Sequence, residues 1–362
     1  MQKRVYNFNP GPSTLPQTVL ERIQRELLNY EGLGCSVMEI SHRSAPFQHL
    51  VKSLQNNIRQ LLDVPDSHAI LFLQGGASQQ FAMIPLNLYS ATKSSPEVIH
   101  TGIWTKKALE EMSRLVSCRV VASGEESGFV KLPSLEEVNF HSNASYVYLA
   151  SNNTIYGTQW RQFPHPPSPL VADMSSDLFS RSIQVEDFGL IFAGAQKNFG
   201  IAGLTLVIVR RGLIEAPPEN VPKIFQYKSH LEKDSAYNTP PVFAIYVAYL
   251  ITEWLLEQGG VETIQKRQKK KAELLYTYID SSGFYHAPVY PEHRSYNNIV
   301  VHIPQKKELE ALFAQEAEQA GFIGLKGHRS VGGIRISSYN ALPLEAIEAL
   351  LEFMKRFANK YG

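Results

Sequence analysis

Between residues 69 and 209 the chain carries seven short apolar runs: Ala69–Leu73, Glu97–Thr101, Arg119–Ala122, Tyr146–Ala150, Leu170–Asp173, Leu190–Ala193 and Leu204–Val209. Most are close to continuously hydrophobic, the pattern of strands buried on both faces. Around them apolar residues recur at three- and four-residue intervals. Val19, Leu20, Ile23, Leu27 and Leu28 share one face of a helix that has Pro16 in its first turn and Thr14 as its cap. Phe47, Leu50, Leu54, Ile58 and Leu61 share one face of a helix starting at Pro46. Buried strands interleaved with amphipathic helices predict an α/β domain on a mostly parallel sheet.

The pattern changes at Gln258-Gly259-Gly260, where one helix ends before a Lys-rich one, Gln265–Lys271. Strands are expected at Asn298–Ile303 and Gly333–Ser337, and helices at Lys307–Ala320 and Leu344–Ala358. The chain therefore divides into a large unit, 16–258, and a smaller α+β unit, 259–362, with segment 1–15 joining them. The basic run Lys266–Lys271 reads as a solvated helix face, since no aromatic residues interleave with it.

Composition narrows the classes. Hydrophobic residues at 44% and charged residues at 19% of 362 fit an ordered globular protein. Thirty-five Lys+Arg against 34 Asp+Glu leave a net charge of +1, so no chain-wide field exists to hold nucleic acid or an anionic membrane. Any anion must be caught locally. The most apolar long stretch, Val242–Leu256, is broken by Glu253 and is too short to span a bilayer. Two cysteines, Cys35 and Cys118, form neither a disulfide framework nor a metal pair. A reducing, cytoplasmic setting is expected, with no metal.

Candidate chemistry clusters at the strand ends. Gln74-Gly75-Gly76-Ala77-Ser78 follows the first apolar run and leads into a helix-like stretch. A turn of small residues there points backbone N–H groups at an anion, although a Gly-Gly pair also serves as a plain tight connection. The loop matches neither G-x-G-x-x-G nor G-x-x-x-x-G-K-[ST], which argues against a dinucleotide or nucleoside triphosphate. Asp173 ends one run and Lys197 follows another within Ala193-Gly194-Ala195-Gln196-Lys197-Asn198. In an open α/β sheet both would face the ligand crevice. One use of that pair is pyridoxal phosphate, with the amine forming the Schiff base and the carboxylate keeping the ring nitrogen protonated. Trp104, after Gly102, is placed to stack on a planar cofactor or to pack in the core. Thr154 offers a hydroxyl at a further strand exit, or stabilises its turn.

Several segments together resemble the phosphoserine aminotransferases, a family of class V pyridoxal-phosphate enzymes. They are Asn7-Phe8-Asn9-Pro10-Gly11-Pro12, Ser41-His42-Arg43-Ser44, Ala193–Asn198, Tyr237-Asn238-Thr239-Pro240-Pro241 and Gly327-His328-Arg329-Ser330-Val331-Gly332-Gly333-Ile334-Arg335. The match runs from the first strand to the last helix, in family order and spacing. It implies the aspartate-aminotransferase-like fold, fold type I, with a large α/β domain, a smaller α+β C-terminal domain, and a homodimer whose sites lie at the subunit boundary.

Carried over residue by residue, the resemblance implies that Lys197 forms the Schiff base, Asp173 contacts the pyridine nitrogen and Trp104 stacks on the ring. Gly76, Ala77, Thr154 and Gln196 would also contact the cofactor, while Asn238 and Thr239 would reach the phosphate of the neighbouring subunit's cofactor. Arg335 would bind the substrate α-carboxylate, with Asn9 nearby. His42, Arg43, His328 and Arg329 would surround a phosphate or the distal carboxylate of glutamate, anions that guanidinium forks suit. Ser78 stands where some relatives carry arginine and is left out of the site. The implied reaction joins 3-phosphohydroxypyruvate and glutamate to phosphoserine and 2-oxoglutarate in serine formation, by ping-pong kinetics. A side reaction on 4-phosphohydroxythreonine in pyridoxine synthesis is also implied. Other class V aminotransferases that act on alanine or serine with glyoxylate would not need the second anion pocket. A non-catalytic binder of phosphate ligands would keep the loop and arginines without a Schiff-base chromophore.

Overall fold

The computed structural model describes residues 4–136, 138–216 and 218–362. In chain order its strands and α-helices are β1 (Tyr6–Asn7), α1 (Gln17–Glu26), α2 (Ala45–Leu62), β2 (His68–Leu73), α3 (Gly76–Leu88), β3 (Glu97–His100) and α4 (Ile103–Met112). There follow β4 (Arg119–Ser123), β5 (Val147–Ala150), β6 (Leu170–Asp173), β7 (Leu190–Gly194), β8 (Thr205–Arg210), α5 (Tyr227–Leu231), α6 (Val242–Glu257) and α7 (Gly260–Ser281). The chain ends with β9 (Asn298–Val301), α8 (Leu309–Gln319), β10 (Phe322–Ile323), β11 (Lys326–His328), β12 (Gly332–Ser337) and α9 (Leu344–Tyr361).

Seven strands form one sheet in the order β2-β8-β7-β6-β5-β3-β4. β8 runs antiparallel to both its neighbours, and the other pairs are parallel. Alternation along each strand sends residues to two helical layers. Ile70, Phe72, Leu149, Ala172, Ile191 and Leu206 pack with α2 and α6, whereas Leu71, Leu73, Tyr148, Val171, Phe192 and Val207 pack with α3 and α4. Burial of each large side chain contributes about 1.5–3 kcal/mol, which is why a strand covered on both faces tolerates few polar residues.

A three-stranded antiparallel sheet, β11-β12-β9, forms a second core with α7, α8 and α9. α7 touches both cores: Val261 and Ile264 lie in the larger, Ala272, Leu275 and Ile279 in the smaller. The N-terminal segment belongs to the smaller core at its start, because β1 pairs with β10 and Phe8 is buried there. This is the aspartate-aminotransferase-like arrangement expected from the resemblance.

Four local expectations need correction. β4 is not a buried strand: it forms the sheet edge and Val120 is 45% exposed, since no further strand covers it. Thr14 does not cap α1; Pro16 holds the N-cap position without a side-chain bond, and the helix stops at Glu26, leaving Leu28 84% exposed. The Lys-rich helix begins at Gly260, not Gln265, because the glycine pair turns α6 directly into α7. The Lys266–Lys271 run is not wholly solvated. Gln268 and Lys271 are buried one turn apart on its inner face, where Lys271 Nζ donates to the carbonyls of Tyr339 (2.9 Å) and Leu342 (3.0 Å). β1, β10 and β11, two or three residues each, carry too little periodicity to be read in advance.

Candidate active site

Six strands, β2, β3, β4, β5, β6 and β7, point their carboxyl ends toward one edge of the large sheet, and the connections leaving that edge shape a crevice. β6 ends there at Asp173, in register with Ala150 of β5 and Phe192 of β7. Its Oδ1 accepts from the Ser175 amide over 2.9 Å, an Asx turn that aims the carboxylate. Burial pushes the Asp173 carboxyl above its usual range, against the pull of the Lys197 ammonium and of Ser175.

Lys197 occupies the turn after β7. Burial pushes its amine down, opposed by Asp173 and Asp177 and assisted by Arg335. A lowered amine is nearer the neutral, nucleophilic form. Its backbone is held from two sides. The Ser13 amide donates to the Gln196 carbonyl over 2.9 Å and the Ser13 hydroxyl donates to the Lys197 carbonyl. Asn198 donates to the Ser176 carbonyl over 2.9 Å and accepts from the Asn340 amide over 3.0 Å. Asp177 is itself occupied by Arg181 at 2.9 Å and by Ser151 and Gln159.

The glycine turn opens α3. Gly75 is its N-cap with φ +86°, and Gly76 follows at φ +67°, a left-handed pair that side-chain-bearing residues rarely adopt. No side chain caps the helix, so the first-turn amides of Gly76 and Ala77 remain open to an anion. Trp104 stands in the first turn of α4. Its indole nitrogen donates to Thr154 Oγ1 over 3.0 Å, and Lys197 Nζ lies 5.6 Å from its ring centroid. Gly102, the N-cap two residues earlier, has φ +153°, and a Cβ there would meet Tyr156 at 2.9 Å. Only glycine brings the start of α4 this close to the loop after β5.

Arg335 projects from β12, and its Nε is buried without a hydrogen-bond partner. An unmatched buried guanidinium donor is costly unless a ligand completes it. His328 ends β11, with its Nδ1 2.6 Å from Ser330 Oγ; burial, Arg335 and Arg329 hold its imidazole below the usual value. Asp173, Lys197, Trp104, Thr154, Gln196, Arg335, His328 and Arg329 thus gather around one crevice.

The other expected residues make contacts of their own. Asn9 is fixed by Asn7, whose Oδ1 accepts from its amide (2.9 Å) and its carboxamide (2.8 Å). Asn238 and Thr239 are exposed and touch Gln74 of the same chain, through Asn238 Nδ2 to Gln74 Oε1 at 3.0 Å and Gln74 Nε2 to the Thr239 carbonyl at 2.8 Å. His42 and Arg43 lie in the turn before α2, and among the described residues no hydrogen bond or ion pair joins them to His328 or Arg329. Ser13, Ser175, Asp177 and Asn198 escaped the sequence reading. Aspartate followed two residues later by serine was the one available signal, that of an Asx turn.

The residues present suit pyridoxal phosphate: an anion cradle, an indole for the ring, a buried carboxylate for the ring nitrogen, an amine for the aldehyde and an unmatched guanidinium for a carboxylate. Among the described residues, no group of three or more His, Cys, Asp or Glu gathers as a metal site.

Comparison with known proteins agrees. The aminotransferase class-V family model matches residues 5–350. The chain is 49% identical over 361 residues to the phosphoserine aminotransferase of Geobacillus kaustophilus, covering 99% of this chain and 100% of that one. It is 50% identical over 359 residues to that of Listeria monocytogenes, covering 99% and 97%. The crystal structure of phosphoserine aminotransferase from Bacillus circulans subsp. alkalophilus superposes with a TM-score of 0.97 at 45% identity over 99% of each chain. A PLP-bound phosphoserine aminotransferase from Trichomonas vaginalis gives 0.93 at 39% identity, covering 97% and 100%. The chain therefore belongs to the class-V aminotransferases, within the phosphoserine aminotransferase family.

Proposed function

We propose that this chain, with pyridoxal phosphate bound, transfers the amino group of glutamate to 3-phosphohydroxypyruvate, giving phosphoserine and 2-oxoglutarate. The observation that carries the reading is the half-buried Lys197 beside the buried Asp173 at the sheet edge, next to an Arg335 whose Nε has no partner. When bound, the cofactor supplies an electron sink for the substrate Cα. Lys197 anchors it covalently and, once released, moves the proton between the substrate Cα and the cofactor C4′, a task that its lowered pKa suits. Asp173 holds the proton on the ring nitrogen. Trp104 stacks on the ring, the amides of Gly76 and Ala77 meet the phosphate, and Thr154 and Gln196 line the remainder.

Arg335 takes the α-carboxylate in the same reading, with Asn9 at the edge of the substrate. His328 and Arg329, joined by the partner subunit's His42 and the partner subunit's Arg43, take the distal anion. The partner subunit's Asn238 and the partner subunit's Thr239 complete the phosphate site. Exposure of Arg43, Asn238 and Thr239, and of Leu28, Leu33 and Met38 in the segment before the half-buried His42, supports a homodimer. We place the functional units at 16–258 and 259–362 with segment 1–15 between them, and the enzyme in the cytoplasm; two unpaired cysteines suit that compartment. 4-Phosphohydroxythreonine is proposed as a second substrate.

The test incubates the cofactor-loaded protein with phosphoserine and 2-oxoglutarate and measures glutamate. Turnover with this pair is expected. Turnover instead with alanine and glyoxylate would replace the substrate assignment while sparing the cofactor chemistry.

A further inference from the structure

Lys197 follows β7 of the large sheet, whereas Arg335 lies on β12 of the small one. The reaction proposed above needs their separation fixed, because one grips the α-carboxylate while the other meets the adjacent Cα. The N-terminal segment joins the two. Its Gly11 rests against the lysine stem: a Cβ there would meet Lys197 Cγ at 3.3 Å, and its φ of +136° is one that side-chain-bearing residues rarely adopt. Ser13, two residues on, donates to the Gln196 and Lys197 carbonyls. On the other side of Gly11, the Pro10 carbonyl accepts from the Tyr339 hydroxyl over 2.8 Å.

Tyr339 stands just beyond the end of β12, one short stretch of chain after Arg335. Its side chain is buried, and the hydroxyl also accepts from Asn298 Nδ2 over 3.2 Å. That nitrogen donates to Ser337 Oγ over 3.0 Å, and Asn298 Oδ1 accepts from Asn152 Nδ2 over 2.8 Å, in the loop that carries Thr154. Burial pushes the phenol up, so the hydroxyl stays protonated and keeps donating. A phenylalanine would fill the same space; among the described residues the hydroxyl bonds only to Asn298 and to the N-terminal segment. We propose that Tyr339 is a positioning residue, whose hydroxyl clasps the N-terminal segment to the exit of β12 and so sets the Lys197 amine against the α-carboxylate held by Arg335. The inference rests on the phosphoserine aminotransferase reading of the same site.

The experiment compares the parent with Tyr339→Phe, Ser13→Ala and the double variant, first without cofactor and then fully loaded. Hydrogen exchange of the cofactor-free proteins is followed by mass spectrometry. In Tyr339→Phe, exchange should quicken about five-fold in peptides spanning residues 9–15 and 194–200, the scale of one lost hydrogen bond, and stay unchanged in α8. In the loaded variant kcat should fall about five-fold for phosphoserine with 2-oxoglutarate and for glutamate with 3-phosphohydroxypyruvate alike, each KM staying within about two-fold of the parent's. The double variant should lose no more than the larger single loss, since both hydroxyls act through one segment. Unaltered exchange at 194–200, a loss carried by KM or confined to one substrate, or additive losses would overturn the inference. The two readings fail separately: a parent inactive with phosphoserine sinks the functional assignment, whereas an active parent matched by its Tyr339→Phe variant sinks only the clasp.

Discussion

The indole nitrogen of Trp104 donates to the hydroxyl of Thr154 across 3.0 Å, tying the first turn of α4 to the loop that leaves β5. Both residues were candidates from sequence, but only as separate strand-end side chains. The bond makes them one unit that fixes the plane of the ring before any ligand arrives.

Replacing Thr154 with valine keeps the shape and removes the acceptor. Loss of one such bond costs about 1 kcal/mol, so affinity for pyridoxal phosphate should fall about five-fold. Quenching of tryptophan fluorescence during titration of the apoprotein with the cofactor measures it. Unchanged affinity would mean that the ring is held by packing alone.

Asp173→Asn should keep the visible colour of the cofactor-bound protein while lowering kcat by at least about 10²-fold, the scale of losing one preorganised electrostatic contact to the reacting system. A carboxamide cannot compensate the protonated ring nitrogen. Single-turnover kinetics of the variant check this, and a rate near the parent's would remove Asp173 from the chemistry.

Arg335→Lys retains a charge and loses the planar fork. With the α-carboxylate as its ligand, KM should rise about 10- to 100-fold for phosphoserine and glutamate alike, because hydrogen bonds to charged groups are worth about 1.5–3 kcal/mol each. A rise confined to phosphoserine would place Arg335 at the distal phosphate instead.

Lys271 sets a pH dependence of stability. Burial drops its amine to about 7 from 10.5, with Arg267 pushing the same way. The folded pKa lies below the unfolded one, so the unfolded chain binds more protons between those values and stability rises with pH across that window. Below about pH 7 the cost of burying the charge is fully present. The stability of the parent relative to Lys271→Met, from denaturant melts, should therefore increase between pH 7 and 10. A flat difference would contradict it.

Much of this molecule is legible in its sequence. β2, β6, β7 and β8 read clearly because helices cover both faces and leave long apolar runs, while β4 misled because its residues are β-formers at an uncovered edge. Lys271 was hidden in a run of charges, since a buried lysine bonded to two carbonyls has no local signature. Lys197 and Asp173 were legible as strand-end residues, and the chemistry of the pair then followed. Ser13 and Asn340, which steady the lysine turn, come from distant parts of the chain, so only tertiary packing places them there. Within one subunit, no hydrogen bond or ion pair among the described residues joins His42 or Arg43 to His328 or Arg329, and a second subunit is the proposed source of that half of the pocket.

The central claim is that the Lys197 amine carries the cofactor. Borohydride reduction of the fully loaded protein, followed by proteolysis and mass mapping, tests it most directly. The account predicts one phosphopyridoxyl group per chain on the peptide containing Lys197, and none in Lys197→Ala; a stable adduct on another lysine, or no adduct in loaded material, would contradict it.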